Sequence, residues 1–279
     1  MGTGTNKGQL LARGRTAQIF AWGDDRVLKL YHAGHPAASV DYEAMVMKAV
    51  HAAGIPAPEV DNVIEVENRR GIIMERVWGP TMVDLMVKRL WKTGEYARIL
   101  ADLHVRMNRA HVAGPEPMHL KLWYEIARIG QLPAQMKQEL MKVLMDLPVG
   151  NSVCHFDLHP MNVIMSARGP VVIDWEGAGT GNPILDIARS WLLITQAALP
   201  ISFTTRIIAR PVRNLFCSTY IRQYHRLCAF DDDQFRTARL LITAARLGEG
   251  IPEEEQQLLN LLESLIAHKN IPYEAQNVS

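Results

Sequence analysis

One stretch near the middle of the chain constrains its fold more than any other: His155-Phe156-Asp157-Leu158-His159-Pro160-Met161-Asn162. Two short apolar runs follow, Val163-Ile164-Met165 and Val171-Val172-Ile173, joined by the turn signal Ala167-Arg168-Gly169-Pro170 and closed by Asp174-Trp175-Glu176. This is the pattern of a loop feeding a hairpin. A hairpin folds its two ends together, so Asp157, Asn162 and Asp174 converge. Oxygen-bearing side chains gathered in this way suit Mg2+, a hard cation that takes one or two carboxylates alongside substrate phosphates. A further carboxylate beside them can receive a hydroxyl proton.

The flanking segments divide by periodicity. Residues 18–22 and 27–31 alternate as strands around Gly23-Asp24-Asp25-Arg26, a hairpin turn signal. Residues 39–53 place Val40, Ala44, Val46, Met47 and Val50 at helical spacing, and Gly54-Ile55-Pro56 stops the helix. Residues 60–66 and 71–77 are two more strands, so the expected order is strand, strand, helix, strand, strand. Beyond Gly79-Pro80 helices dominate, at residues 96–113, 133–147, from Asp186 onward, and 253–268.

Composition narrows the function classes. With 48% hydrophobic and 21% charged residues over 279 positions, the chain is a folded globular protein rather than a disordered one. Its 30 basic and 29 acidic side chains leave a net charge of +1, so no global field draws it to nucleic acid or to a membrane surface. Cys154, Cys217 and Cys228 are few and widely spaced, which excludes a disulfide framework or zinc site and fits a cytoplasmic setting. The N-terminal residues lack an apolar signal core, and Asn6 departs from a myristoylation pattern. The apolar run at 191–201 is too short to span a bilayer.

The octet, with its His159-Pro160 pair, resembles the catalytic loop of the aminoglycoside phosphotransferase and choline kinase group of the protein-kinase-like fold. Ile173-Asp174-Trp175-Glu176 resembles that family's metal-binding segment, and Asn182-Pro183-Ile184-Leu185-Asp186 the segment after it. The likeness runs from about Leu10 to about Leu193. It implies an α+β, bilobal fold: a nucleotide-binding lobe at residues 1–77, with a small antiparallel sheet and one helix, and a larger, mainly helical lobe at 78–279 with the catalytic loop and acceptor pocket.

It also implies a kinase that uses ATP and Mg2+ to phosphorylate a hydroxyl of a small molecule, such as an aminoglycoside, a choline-like amino-alcohol or a sugar. Asp157 would accept the hydroxyl proton, and Asn162 and Asp174 would hold Mg2+. Lys29, oddly placed in an apolar strand, would meet the α- and β-phosphates with Glu43 holding it. Met74-Glu75-Arg76-Val77 would be the hinge, with the Glu75 carbonyl and Val77 amide at adenine.

The departures from that family are informative. Ala12-Arg13-Gly14-Arg15-Thr16-Ala17 keeps one glycine of the Gly-rich loop, leaving backbone amides and Thr16 to reach phosphate. This degraded loop leaves a competing reading open, a catalytically weak nucleotide-binding regulatory protein on the same fold. The interval from Asp174 to Asp186 is twelve positions, too short for a protein-kinase activation loop, which argues against a protein substrate. Bland roles are expected for His155, a structural brace, and Asp186, a helix N-cap that braces the loop. Gly177-Ala178-Gly179-Thr180-Gly181 mimics a dinucleotide loop but lacks the following helix body. For a cationic acceptor, the candidate recognition groups are Asp231-Asp232-Asp233, Glu253-Glu254-Glu255, and the aromatics Trp123, Tyr124, Trp175, Trp191, Tyr220 and Tyr224, against the commoner roles of such runs as solvated faces and of helix-face aromatics as core. The oligomeric state is not encoded in any of these features.

Overall fold

The computed structural model describes residues 7–196 and 203–267. The N-terminal hexapeptide, the end of the 191–201 apolar run and His268 lie outside the described residues. Strands β1 (Lys7–Arg13), β2 (Ala17–Trp22) and β3 (Arg26–Tyr31), helix α1 (Ala37–Ala52), and strands β4 (Val60–Val66) and β5 (Arg69–Glu75) open the chain. The five strands form one antiparallel sheet in the order β1-β2-β3-β5-β4. The expected strand order lacked β1. That strand lies at the sheet edge, is mostly exposed and is irregular in register at Leu10, so it carries little apolar alternation.

Strand β3 is buried on both faces, which explains its apolar run. Leu28 and Leu30 pack with Val66 and Ile73 on one side. Tyr31 packs on the other with Val40, Ala44 and Met47 of α1. Lys29 shares that inner face at 6% exposure. Gly71 of β5 faces Leu28 and Leu30; a Cβ there would stand 2.8 Å from Leu28 Cδ1.

Helices α2 (Met82–Lys88), α3 (Thr93–Asn108), α4 (Met118–Ala127) and α5 (Ala134–Met145) come next. Thr81 and Asp84 form a capping box at the start of α2. Then follow β6 (Ser152–Cys154), a 3-10 turn at Pro160–Asn162, the hairpin β7 (Val163–Ser166) and β8 (Gly169–Val172), and β9 (Gly179–Gly181). The glycine run is thus strand β9, paired with β6. A Cβ on Gly179 would fall 2.4 Å from Met118 Sδ and 2.6 Å from the Glu116 carbonyl, so close packing against α4 accounts for that glycine. Helices α6 (Pro183–Gln196), α7 (Phe203–Leu227), α8 (Asp232–Gly248) and α9 (Glu255–Ala267) complete the helical body. Among the described residues no helix is long and apolar enough to cross a membrane.

Asp186 is not the N-cap expected of it. Helix α6 already begins at Pro183, and Asn182 Oδ1 accepts from the Ile184 amide instead. Asp186 is wholly buried in the first turn of α6 and braces the central loop. Its carboxylate accepts from the His155 amide at 2.9 Å and the Phe156 amide at 2.8 Å. Asn108 Nδ2 at 3.2 Å and His104 Nε2 at 2.8 Å also reach it. Tyr224 in turn donates to Asn108 Oδ1 at 2.9 Å. Burial pushes the Asp186 carboxyl up, but His104 and the Phe156 amide outweigh burial and hold it below the usual carboxylate range.

Asp186→Ala would strand two buried amides and is expected to cost about 3–5 kcal/mol in urea denaturation. Asp186→Asn keeps one acceptor and loses less. Because the folded carboxyl is depressed, its stabilisation is complete above the ordinary carboxylate range and is lost as pH falls below it. The acid limb of the stability curve should therefore be shallower in the Asn variant. An unchanged limb would refute the charged brace.

Candidate active site

The sheet and the central hairpin meet at Lys29. Its Nζ lies 2.8 and 3.0 Å from the two carboxylate oxygens of Glu43 on α1 and 2.7 Å from Asp174 Oδ1. Tyr31 also donates to Glu43. Burial alone would depress the Lys29 ammonium, but Glu43 and Asp174 outweigh it and hold the lysine well above its ordinary value. Burial likewise pushes the Glu43 carboxyl up, against the pull of Lys29. Asp174 sits at φ 64°, a left-handed conformation that costs a non-glycine residue about 1–3 kcal/mol. The Ile173 amide, donating to the Asn162 carbonyl at 2.9 Å, and Trp175 Nε1, donating to the Val172 carbonyl at 3.0 Å, secure the backbone there.

Asp157 and Asn162 face the same cleft. Asn162 Nδ2 donates to the Asp157 carbonyl at 2.9 Å and to Asp157 Oδ2 at 2.8 Å. With its amide hydrogens so engaged, Asn162 presents its carbonyl Oδ1 as the group left for a cation. His155 is the expected brace: its Nδ1 accepts from the Asp157 amide at 3.2 Å, so Nε2 carries the proton toward the Ile173 carbonyl at 3.1 Å. Burial keeps that ring neutral by lowering its pKa. Burial pushes the Asp157 carboxyl up, but His159, with Nε2 3.6 Å away, leads the opposing groups and brings it down to about 2.

Carbonyl and carboxylate oxygens of this kind fit a hard divalent cation. The pair Asn162 and Asp174 is better suited than the three-carboxylate group Glu43, Asp174 and Glu176, whose oxygens lie within 4.8 Å of one another. Both oxygens of Glu43 are already taken by Lys29, and one by Tyr31 as well.

The β1–β2 turn closes over this end of the cleft. Thr16 Oγ1 donates to Glu176 Oε2 at 3.0 Å, and His35 Nε2 lies 3.5 Å from Glu176 Oε1. Met74, Glu75 and Val77 line the opposite wall. The Glu75 amide donates to the Glu59 carbonyl at 2.8 Å, and its side chain pairs with Arg168 at 2.7 Å. The whole cleft encloses about 1700 Å³, more than one nucleotide-sized ligand fills.

The acceptor candidates read from the sequence fall elsewhere. Asp231 caps α8 through the Gln234 amide at 2.8 Å, Glu254 pairs with Arg246, and Glu255 accepts from Gln131. Trp175, Tyr220 and Tyr224 are core residues, Trp191 lies under the Arg239 guanidinium, and Trp123 and Tyr124 pack edge to face. None of these groups lines the cleft. The far end is instead lined by Lys121, Glu125, Arg189, Arg246 and Glu249, which sequence reasoning missed because they sit on or at the end of three helices, α4, α6 and α8, without a motif. Tyr31 and Glu176 were detectable only as neighbours of Lys29 and Asp174.

Known proteins agree with this architecture. A thiamine kinase from Escherichia coli O9:H4 (strain HS) is 33% identical over 81 residues, covering 28% of this chain and 30% of that protein. A thiamine kinase from Shigella boydii serotype 4 (strain Sb227) is 37% identical over 62 residues, covering 22% and 23%. The chain thus matches under a third of the length of these curated relatives. Among solved structures, an amicoumacin kinase in complex with AMP-PNP, Ca2+ and Ami superposes with a TM-score of 0.64 at 14% identity, covering 96% of this chain and 90% of that one. A choline/ethanolamine kinase family protein from Mesorhizobium loti gives 0.63 at 14% identity, over 95% and 90%. At such identities the likeness is one of fold, and it agrees with the bilobal α+β kinase-like arrangement expected from the sequence. The family model described as "Phosphotransferase enzyme family" matches residues 7–230, four-fifths of the sequence, and the chain belongs to that family.

Proposed function

We propose that this protein transfers the γ-phosphoryl group of ATP to a hydroxyl of a small molecule, with Mg2+. The observation that carries this reading is the convergence of Lys29, Glu43 and Asp174 with Asp157 and Asn162 in one cleft. Residues 1–77 act as the nucleotide lobe and 78–279 as the lobe that holds catalysis and acceptor. The Glu75 carbonyl and Val77 amide meet adenine beside Met74, and Thr16 with the turn amides meets phosphate. Three unpaired thiols suit a reducing cytoplasm.

Lys29 neutralises phosphate charge from a position that Glu43 fixes. Asp174 and the Asn162 carbonyl would hold Mg2+, which when bound offsets charge on the transferring phosphates. Asp157 is ionised near neutral pH, since His159 holds its carboxyl down to about 2 despite burial. So weak a base orients the hydroxyl by accepting its hydrogen bond and takes the proton late, as suits a loose transition state. Positioning and electrostatics supply the acceleration.

Asp157→Ala is expected to lower phosphate transfer about 10²–10⁴-fold while the thermal shift produced by ATP and Mg2+ persists. Turnover at the wild-type rate would sink the assignment. Wild type that binds ATP yet transfers phosphate to no acceptor across amino-alcohols, aminoglycosides, sugars and hydroxy acids would favour the regulatory reading. Lys29→Met would leave Glu43 buried without its cation, at about 3–5 kcal/mol of stability, and would abolish the ATP-dependent shift. Adding Glu43→Gln should recover stability but not nucleotide binding, and calorimetry on both variants checks this.

A further inference from the structure

The two lysines of the cleft are in opposite states. Lys29 is saturated by two carboxylates. Lys121, on the cleft face of α4, forms no ion pair among the described residues, and its polar contact is the Gly177 carbonyl at 3.5 Å. A Cβ on Gly177 would stand 3.9 Å from both Lys121 Nζ and Phe156 Cβ, so the ammonium and the residue that precedes Asp157 both border Gly177.

The neighbouring guanidiniums of Arg189 and Arg246 are already matched. Glu249 is shared by Arg189 at 2.7 Å and Arg246 at 2.6 Å, and Arg246 also holds Glu254. Arg189 Nε donates to the Phe156 carbonyl at 3.2 Å, which keeps a second cation close to the loop. Glu125 is drawn toward Arg128 at 3.7 Å, and its other oxygen, Oε2, is buried with no hydrogen-bond partner. The far end of the cleft that holds Asp157 therefore offers an ammonium without an ion pair and one buried carboxylate oxygen without a partner.

We infer that Lys121, backed by Arg189, is an anion subsite, and that the acceptor of the proposed transfer is a small hydroxy acid whose anionic group binds Lys121 while a hydrogen-bond donor reaches Glu125. The assignment of this pocket to the acceptor rests on the kinase reading above. Removal of the Lys121 charge from solvent, and repulsion by Arg189, lower its pKa against the pull of Glu249, Glu125 and Glu176, and an anion bound beside it would stabilise the protonated form.

The test uses two probes with one carbon skeleton, D-glycerate and glycerol, titrated into the full-length protein in the presence of AMP-PNP and Mg2+ and followed by ligand-observed NMR. Glycerate is expected to bind at least tenfold more tightly than glycerol. Lys121→Met should remove that difference, Lys121→Arg should restore most of it, and AMP-PNP affinity should stay within twofold in both. Equal binding of the two probes, including no binding of either, overturns the inference. So does glycerate binding that survives Lys121→Met, or a loss of AMP-PNP affinity that moves Lys121 to the nucleotide. Phosphate transfer is measured separately: glycerate preference without any transfer would count against the kinase reading alone, and transfer to a cationic acceptor without glycerate preference against this inference alone.

Discussion

At Phe156 the backbone turns through φ 61°, and two successive amides point into the protein. That turn lets Asp157 and Asn162 face the cleft, and it obliges the interior to supply acceptors for buried N–H groups. One carboxylate, Asp186, supplies both. A buried charge is tolerated only when its remaining hydrogen bonds are made, and His104, Asn108 and Tyr224 complete the set from α3 and α7. Much of the helical body can be understood as the scaffold this carboxylate requires. The same loop carries His155, whose ring ties the Asp157 amide to the Ile173 carbonyl and so couples the loop to the hairpin that bears Asp174.

The cleft divides its charge between two ends. At the sheet end, Lys29 is locked between Glu43 and Asp174, residues 145 positions apart for the longer contact, so the ion pairs also fasten the sheet to the hairpin. A phosphate bound there would compete with carboxylates already in place, and Asp174 is the one with room to change partner, since its side chain is 43% exposed against 1% for Glu43. At the far end the guanidiniums of Arg189 and Arg246 are held by Glu249 and Glu254, and Lys121 forms no ion pair among the described residues.

What could be read from the sequence was the part where chemistry leaves a fixed spacing. The octet, Asp174, and a lysine stranded in an apolar strand were legible because each violates the local rule for its element. Glu43 followed from Lys29. Strand β1 was not legible because an exposed edge strand needs no apolar face. The acidic runs at 231–233 and 253–255 serve capping and ion pairs, the ordinary use of such runs, which take the same residues as a cation pocket. Aromatics at helical spacing proved to be core: Tyr220 and Tyr224 sit at 0% and 1% exposure. Lys121 left no trace, since a lysine on an amphipathic helix is indistinguishable from a solvated one until neighbouring helices form the cleft around it.

The single glycine in the β1–β2 turn acquires a physical account from the same cleft. A loop with three glycines owes its reach to backbone freedom. This turn has given up most of that freedom and is held by its own Gly14 amide, which donates to the Ala17 carbonyl at 2.8 Å. Its position over the site is set by a side chain, Thr16, that grips Glu176 across the cleft. Glu176 lies two residues beyond Asp174, so the turn and the carboxylate opposite Lys29 hang from one short segment. A side-chain contact has taken over work that backbone flexibility does elsewhere, and the loop is degraded in its glycines without being detached from the site.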